Sequence, residues 1–479
     1  MTLDDCTGLP VQFGTYYPVL PQAHLRPFNR AQLASNSAGL PGQLTCQHPC
    51  SVINVFYPYK ARLTLKGSKM PPRTTARIAA AVPLGHRETR LWPADPGAYG
   101  GRKARRGGRY EVFIPDPIRG RDFALDGEAV AAVAEATRAL QHLDHSPPRV
   151  ATLGALARNL VRSESVASSR IEGVNISHKC LARAAYQADK GHRNHRAAEV
   201  LGNVEAIERA IELGTDTKPL KVADIEDIHR TLLRFTVDAH VAGVIRKTQN
   251  WIGGNDYNPI GASYAPPPPE HVRPLLKDLC AFVNRDDVAP VAQAAIAQAQ
   301  FETIHPFADG NGRAGRALIY TVLRRRGEVS NYIPPISLIL AAEPTAYIGG
   351  LTGYREGEVS LWSARFAQAT ARAAQEAERL AELIEERQFT WLDALGQPRK
   401  DAAVRQLVSV LPAHPVIDVA VAQKLTGKSH VAIGRALQQL EDAGILNRLN
   451  ERKWGRVWQC DQLLSLVDSF EKSVRTPHR

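Results

Sequence analysis

Residues 305–316 read His-Pro-Phe-Ala-Asp-Gly-Asn-Gly-Arg-Ala-Gly-Arg, and they set a base, a hard oxygen ligand, an anion nest and two cations side by side. A Gly-Asn-Gly turn lets successive backbone N–H groups converge, and the helix that follows adds its positive end, which together suit a phosphate. Arg313 and Arg316 lie three apart on one face of that helix's first turn, where two guanidinium forks can grip phosphate oxygens. Two cations there oppose the helix dipole, so an anion or a carboxylate must join them. Asp309 offers the oxygen ligand Mg²⁺ takes when it also bridges substrate phosphates. His305 can accept a proton from an attacking hydroxyl near neutral pH, and Phe307 serves as the apolar anchor of the loop. Singly, each residue has a plainer reading, as helix cap, turn former or solvated surface. The combination is what points to chemistry.

Together these residues match every specified position of the motif HxFx[DE]GNGRxxR, and over residues 110–395 the sequence resembles the Fic (Fido) family. The string 243–254 (GVIRKTQNWIGG), with the prolines of 266–269 after it, resembles the family's flap and downstream loop. The resemblance implies transfer of AMP from ATP to a Ser, Thr or Tyr hydroxyl of a target protein. His305 would then be the general base and Asp309 the Mg²⁺ ligand. Asp309, Gly310, Asn311, Gly312, Arg313 and Arg316 would hold ATP, with flap contacts from Ile252 and Gly253 and a base-stacking ring from Tyr347. The family's second aromatic is absent beside it, since Ile348 follows. Doc-like kinases carry lysine where Gly312 stands, so the glycine favours nucleotide transfer over phosphate transfer.

A second string upstream, 168–173 (SSRIEG), resembles the family's inhibitory motif [ST]xxxE[GN]. Ser168 and Glu172 are four apart and share a helix face. The resemblance implies that Glu172 pairs with Arg316 and displaces the ATP γ-phosphate, the arrangement of members with an N-terminal inhibitory helix. As in reversible members, the glutamate would also align water for AMP removal.

The elements that must position these groups are helical. Apolar periodicity predicts helices over 126–143 (Val130, Val133, Thr137 and Leu140 inward), 153–173, 196–213, 222–233, 270–284, 290–303, from about 318 to 327, and 359–395. The one β-rich stretch, 243–254, is bounded by glycines and reads as a short hairpin. Gly396, Gln397 and Pro398 end the long helix. Three further helical patterns near Leu407, Val421 and Ile433, with two short β segments flanking 450–455, have the layout of a winged helix-turn-helix whose turn is 425–429. The fold class is therefore mainly α: a Fic helical domain with a β-hairpin flap, then a winged helix.

The chain has 479 residues and a net charge of +12. Residues 1–109 alone carry +11, with repeated Pro, an arginine- and glycine-rich run at 100–109, and no Glu before Glu88. This composition predicts a disordered leader, with translation starting at Met70. The remaining parts are 110–215 with the inhibitory helix, 216–395 as the catalytic core and linker helix, and 396–479 as the winged helix. Residues 399–460 carry +5, with Lys428, His430 and Arg435 near the recognition helix and Arg452, Lys453 and Arg456 in the wing, so DNA is one partner to test. Protein docking or homodimerisation is the other use of such a domain. The apolar face of its recognition helix is read as Val431, Ile433, Ala436, Leu437 and Leu440. Cys46, His48 and Cys50 lack a second ligand pair and are not read as a metal site. Far-spaced cysteines, no apolar run near membrane length and no secretory signal pattern place the expected compartment in the cytoplasm, without a membrane partner. A second reading makes the chain a DNA-binding regulator whose Fic domain senses nucleotide or removes AMP from modified proteins.

Overall fold

The computed structural model describes residues 82–97, 101–145, 153–190, 195–450 and 455–475. The proposed start at Met70, the Cys46 cluster, Arg452 and Lys453 lie outside these. In chain order the elements are β1 (Gly85–Trp92), α1 (Arg102–Arg105), β2 (Gly108–Pro115), α2 (Gly127–His145), α3 (Leu153–Ile171), α4 (His178–Asp189), α5 (His195–Thr215), α6 (Val222–Leu233), α7 (Pro269–Val283), α8 (Pro290–Ile304) and α9 (Asn311–Arg325). Then come α10 (Ile336–Leu340), α11 (Pro344–Arg355), α12 (Val359–Ala394), α13 (Ala403–Val410), β3 (Val416–Asp418), α14 (Val419–Thr426), α15 (His430–Asp442), β4 (Asn447–Arg448), β5 (Val457–Gln459) and α16 (Asp461–Arg475). The architecture is mainly α, as expected.

The centre is α8, whose alanines, Ile296, Phe301 and Ile304 are buried on all sides. A helix buried all round must answer its polar groups internally. Gln293 donates to the Phe282 and Val283 carbonyls at the end of α7, and Gln298 and Gln300 pair with the hydroxyls of Tyr347 and Tyr354. Proline at the first turn of α7 and of α8 starts each helix where its missing N–H costs nothing. The 36-residue α12 buries Phe366, Ala373, Ala377, Leu380 and Ile384 along one stripe and packs on α2, α8, α11 and α16.

Four expectations change. Part of the expected leader forms a strand: β1 pairs antiparallel with β2, Gly85 opposite Pro115 and Trp92 opposite Gly108. Arginine-rich composition hid a strand whose ladder is backbone hydrogen bonding, with Trp92 edge-on to Tyr110 and Trp251. The stretch 243–254 is not a regular hairpin. It makes single antiparallel bridges, Ile245 to Phe307 and Ile252 to Tyr264, because positive-φ glycines at 243, 253 and 254 and the Asn255 turn interrupt it. In α2 the buried face is Ala129, Ala132, Val133, Ala136, Leu140 and Leu143, with Val130 exposed, since small alanines carry the close packing on α12. In α15, Val431 is 61% exposed, leaving Ile433, Ala436, Leu437 and Leu440 as its apolar face.

The C-terminal part joins α13, α14 and α15 to a three-stranded sheet in the order β3-β5-β4. Asp418 caps α14 through the Val421 N–H, Gly427 ends it in the left-handed region, and Ser429 caps α15. Helix α16, unread in the sequence, buries Leu463, Leu464, Val467, Phe470 and Val474 against the helical body.

Candidate active site

Helix α8 ends at Ile304, and His305 turns the chain with φ 50° and ψ 62°. A β-carbon in that left-handed region costs about 1–2 kcal/mol, so neighbouring contacts must hold it there. They do: the His305 carbonyl accepts from Arg246 Nε (2.8 Å), and the guanidinium also donates to the carbonyls of Thr248 and Pro267. Arg246 is buried and collects carbonyls rather than carboxylates, and burial pushes its pKa down to about 10. The backbone at 245–246 is stitched to the same loop, with Arg246 N–H donating to Pro306 O and Asn250 Nδ2 to Phe307 O.

The His305 side chain is 16% exposed. Burial first, then the nearby Arg246 charge, lowers its pKa to about 4, so at pH 7 the imidazole is in the unprotonated form that a general base requires. Its Nδ1 has no hydrogen-bond partner among the described residues and lies 3.9 Å from Glu302 Oε2. Burial raises the Glu302 carboxyl to about 7.

Gly310, φ 74°, is the N-cap of α9, so the Gly-Asn-Gly turn and a helix N-terminus coincide as the spacing predicts. Asn311 does not aim its side chain at the nest. Its Oδ1 accepts from Phe307 N–H (2.8 Å) and its Nδ2 donates to Phe307 O (2.9 Å), closing a ring that shapes the loop from inside. The two arginines find the carboxylates that the dipole argument demanded. Arg313 reaches Glu199 (3.5 Å) and Asp309 (3.4 Å). Arg316, fully buried, donates to Ser168 Oγ (2.9 Å), to the Ser168 carbonyl (2.9 Å) and to Glu172 Oε1 (2.8 Å).

Glu172 follows the last residue of α3, just before Gly173 at φ 83°. Burial, the largest single influence, acts to raise its carboxyl, but the charge and hydrogen bond of Arg316 together with the Arg313 charge outweigh it and hold the group below the usual carboxylate range. A β-carbon on Gly312 would overlap the Glu172 carboxylate, so the glycine is also the seat on which the glutamate rests. The C-terminal part grips α3 from its other side. Asn159 Nδ2 donates to Pro412 O and Arg162 Nη1 to Ala413 O, both at 2.8 Å. Near its end, Arg170 meets Glu471 (3.4 Å), which also pairs with His178 (2.6 Å).

The expected residues His305, Asp309, Gly310, Asn311, Gly312, Arg313, Arg316, Ser168 and Glu172 thus meet around one loop. Ile252 and Gly253 sit at a bridge to Tyr264. Tyr347 does not offer its face to a base: it is buried against Trp362, and its hydroxyl accepts from Gln298 (2.8 Å). Its neighbour Ile348 is exposed instead. Arg246, His229, Glu199, Glu302 and Glu471 were not read from the sequence. A lone arginine within the β-rich run and a histidine on the apolar face of α6 were the available signals. No group of three metal-ligating side chains occurs among the described residues, and Asp309 stands as a single carboxylate, 46% exposed.

Residues 219–323 match the Fic/DOC family model and residues 130–212 the Fic/DOC family N-terminal model. Protein adenylyltransferase fic-1 of Caenorhabditis elegans is 28% identical over 225 residues, 45% of this chain and 40% of that protein. Protein adenylyltransferase Fic of Drosophila grimshawi is 32% identical over 143 residues, 29% of this chain and 26% of that one. The chain therefore spans well under half the length of these curated relatives. Among solved structures, a Fic family protein from Desulfovibrio desulfuricans aligns with TM-score 0.44 at 19% identity, covering 71% of this chain and 97% of that one. Fic-1 of C. elegans aligns with TM-score 0.42 at 22% identity, covering 53% and 73%. Both family models are matched in sequence order and the motif loop lies inside the second match, so residues 130–323 are similar to the Fic/DOC family.

Proposed function

We propose that the protein is an adenylyltransferase that moves AMP from ATP to a Ser, Thr or Tyr hydroxyl of a target protein, and that Glu172 holds it in check. The pairing of Arg316 with Glu172 and Ser168, on the loop that carries a neutral His305, is the observation that supports this most. The target hydroxyl gives its proton to the His305 imidazole as its oxygen bonds to the α-phosphorus. The bond from that phosphorus to the bridging oxygen breaks, and pyrophosphate leaves. Such transfer is mostly positioning and charge neutralisation, so no covalent enzyme intermediate is needed. The α9 N-terminus and Arg313 receive the phosphates, and Arg316 joins them once Glu172 moves. Asp309, a half-exposed hard-oxygen donor whose one ion pair among the described residues is the long one to Arg313, fits Mg²⁺, which when bound would neutralise phosphate charge. The names of the curated relatives support the same reaction.

Incubating the full chain with ATP labelled at the α- or the γ-phosphate tests this. We expect α-label on protein with the Glu172→Gly variant, no γ-label, and at least a hundredfold less with His305→Ala added, roughly the lower bound for losing a general base. No α-label from Glu172→Gly, with a target present, rejects the reading.

A second reading adds DNA as a partner of a winged helix-turn-helix in residues 396–479. It is favoured by α15, which leaves His430, Val431 and Arg435 exposed while its apolar face is spent inside. A gel shift of the full chain across a salt series should give binding that weakens steeply with salt. Salt-independent retention, or none, removes DNA and leaves docking or homodimerisation. No described helix is long and apolar enough to cross a membrane, and a cytoplasmic site of action belongs to the same proposal.

A further inference from the structure

His229 sits at the middle of α6, fully buried, and every polar atom of its ring is committed to the active-site loops. Its Nε2 lies 2.9 Å from the Asp309 carbonyl, and its Nδ1 lies 2.9 Å from the Gly243 backbone nitrogen. A carbonyl can only accept and a backbone N–H can only donate. The ring is therefore the neutral tautomer with hydrogen on Nε2, giving to Asp309 and receiving from Gly243. Its flat face stacks on Phe307 at 3.7 Å between centroids and 4° between planes. Gly310 passes so close that a β-carbon there would come within 3.2 Å of Nε2.

These contacts divide between two segments that the proposed reaction uses. Phe307, Asp309 and Gly310 belong to the loop that carries the base and the nest, whereas Gly243 opens the flap stretch, at φ 74°. A buried histidine needs only satisfied nitrogens to be stable, and many chain segments could supply them. Here both nitrogens go to the backbone, one to each of these two segments.

We infer that His229 is a positioning residue that sets the Asp309 backbone and the root of the flap in one geometry, so that the nucleotide loop and the target-receiving edge are registered to each other. The inference rests on the transferase reading. His229 itself, behind the loop, touches no reacting atom.

Asparagine and glutamine separate its two bonds. A His229→Gln amide reaches the Nε2 position and keeps the donor to Asp309 O, whereas His229→Asn reaches the Nδ1 position and keeps the acceptor for Gly243 N–H. In the full-length Glu172→Gly background, ATP affinity with and without Mg²⁺ is measured by calorimetry, α-label self-modification at saturating ATP, and the thermal midpoint alongside. His229→Asn should lower Mg²⁺-dependent ATP affinity by roughly tenfold, the upper part of the scale for one lost neutral hydrogen bond. His229→Gln should leave that affinity within about twofold and slow self-modification roughly tenfold. A purely structural histidine would instead give both variants one pattern, each loss following the thermal midpoint. If the parent binds ATP and labels itself while Asn and Gln behave alike, the inference falls alone. A parent that neither binds nor labels takes down the transferase reading and this inference with it.

Discussion

Replacing Glu172 with glycine is expected to raise self-labelling from α-labelled ATP by roughly tenfold or more over the unaltered chain. A hydrogen bond between charged groups contributes about 1.5–3 kcal/mol. With the Glu172 side chain 35% exposed, solvent screens the pair, so the lower end of that range applies. About 1.4 kcal/mol is a factor of ten in rate. Removing the side chain frees an Arg316 nitrogen for phosphate and clears the space over Gly312. Ser168 stays bonded to Arg316 Nε, so the guanidinium keeps its position and only its anion changes. Because the Glu172 carboxyl is held below the usual range, the pair is fully formed above about pH 4.5 and is lost as pH falls through the lowered value. The unaltered chain should accordingly stay repressed from pH 6 to 9. Equal labelling of the two proteins over that interval would end the autoinhibition model.

Glu471→Ala is the second large effect. The Glu471 side chain is 2% exposed and accepts from His178 and Arg170, which are 6% and 20% exposed. Deleting one partner of a buried ionic cluster leaves the others uncompensated and costs about 3–5 kcal/mol. The midpoint in a denaturant titration should fall with the slope nearly unchanged, and Glu471→Gln, which keeps the shape and one acceptor, should lose less. Arg170 lies on the last turn of α3 and Glu172 just beyond it. Loosening that turn should raise self-labelling towards the Glu172→Gly level, and adding Glu471→Ala to Glu172→Gly should add little. Full stability with unchanged labelling would mean that α16 does not hold the inhibitory helix.

How much of this was legible depended on distance along the chain. The loop 305–316 and the string 168–173 are short and were legible from local spacing, whereas the pairing of Glu172 with Arg316 was implied only by the family resemblance. Helix faces rich in Leu and Ile were read correctly, whereas Val431 of α15 proved exposed and α2 was misassigned because alanine is small enough to pack closely yet gives a weak periodic signal. Tyr347 and Asn311 were placed in the nucleotide site by type, but their side chains turn inward to Gln298 and Phe307, which only the packed core determines. Glu199, His229 and Arg246 serve the loop from 114, 80 and 59 residues upstream, as counted along their bonds to it. No window of sequence shows such pairs. The strand β1 was missed because its partner, not its own residues, makes it a strand.

The grip on α3 also dictates an order of assembly. Arg162 and Ala413 are 251 residues apart, Asn159 and Pro412 are 253 apart, and Arg170 and Glu471 are 301 apart, whereas Glu172 and Arg316 are separated by 144. Closing a longer loop costs more chain entropy, and distant contacts form late. On a ribosome, the catalytic loop and its opposing carboxylate both emerge well before α16 exists to brace them. Under the proposed autoinhibition, a nascent chain would hold the whole reaction centre while its restraint is still half built, and α16 would complete the lock.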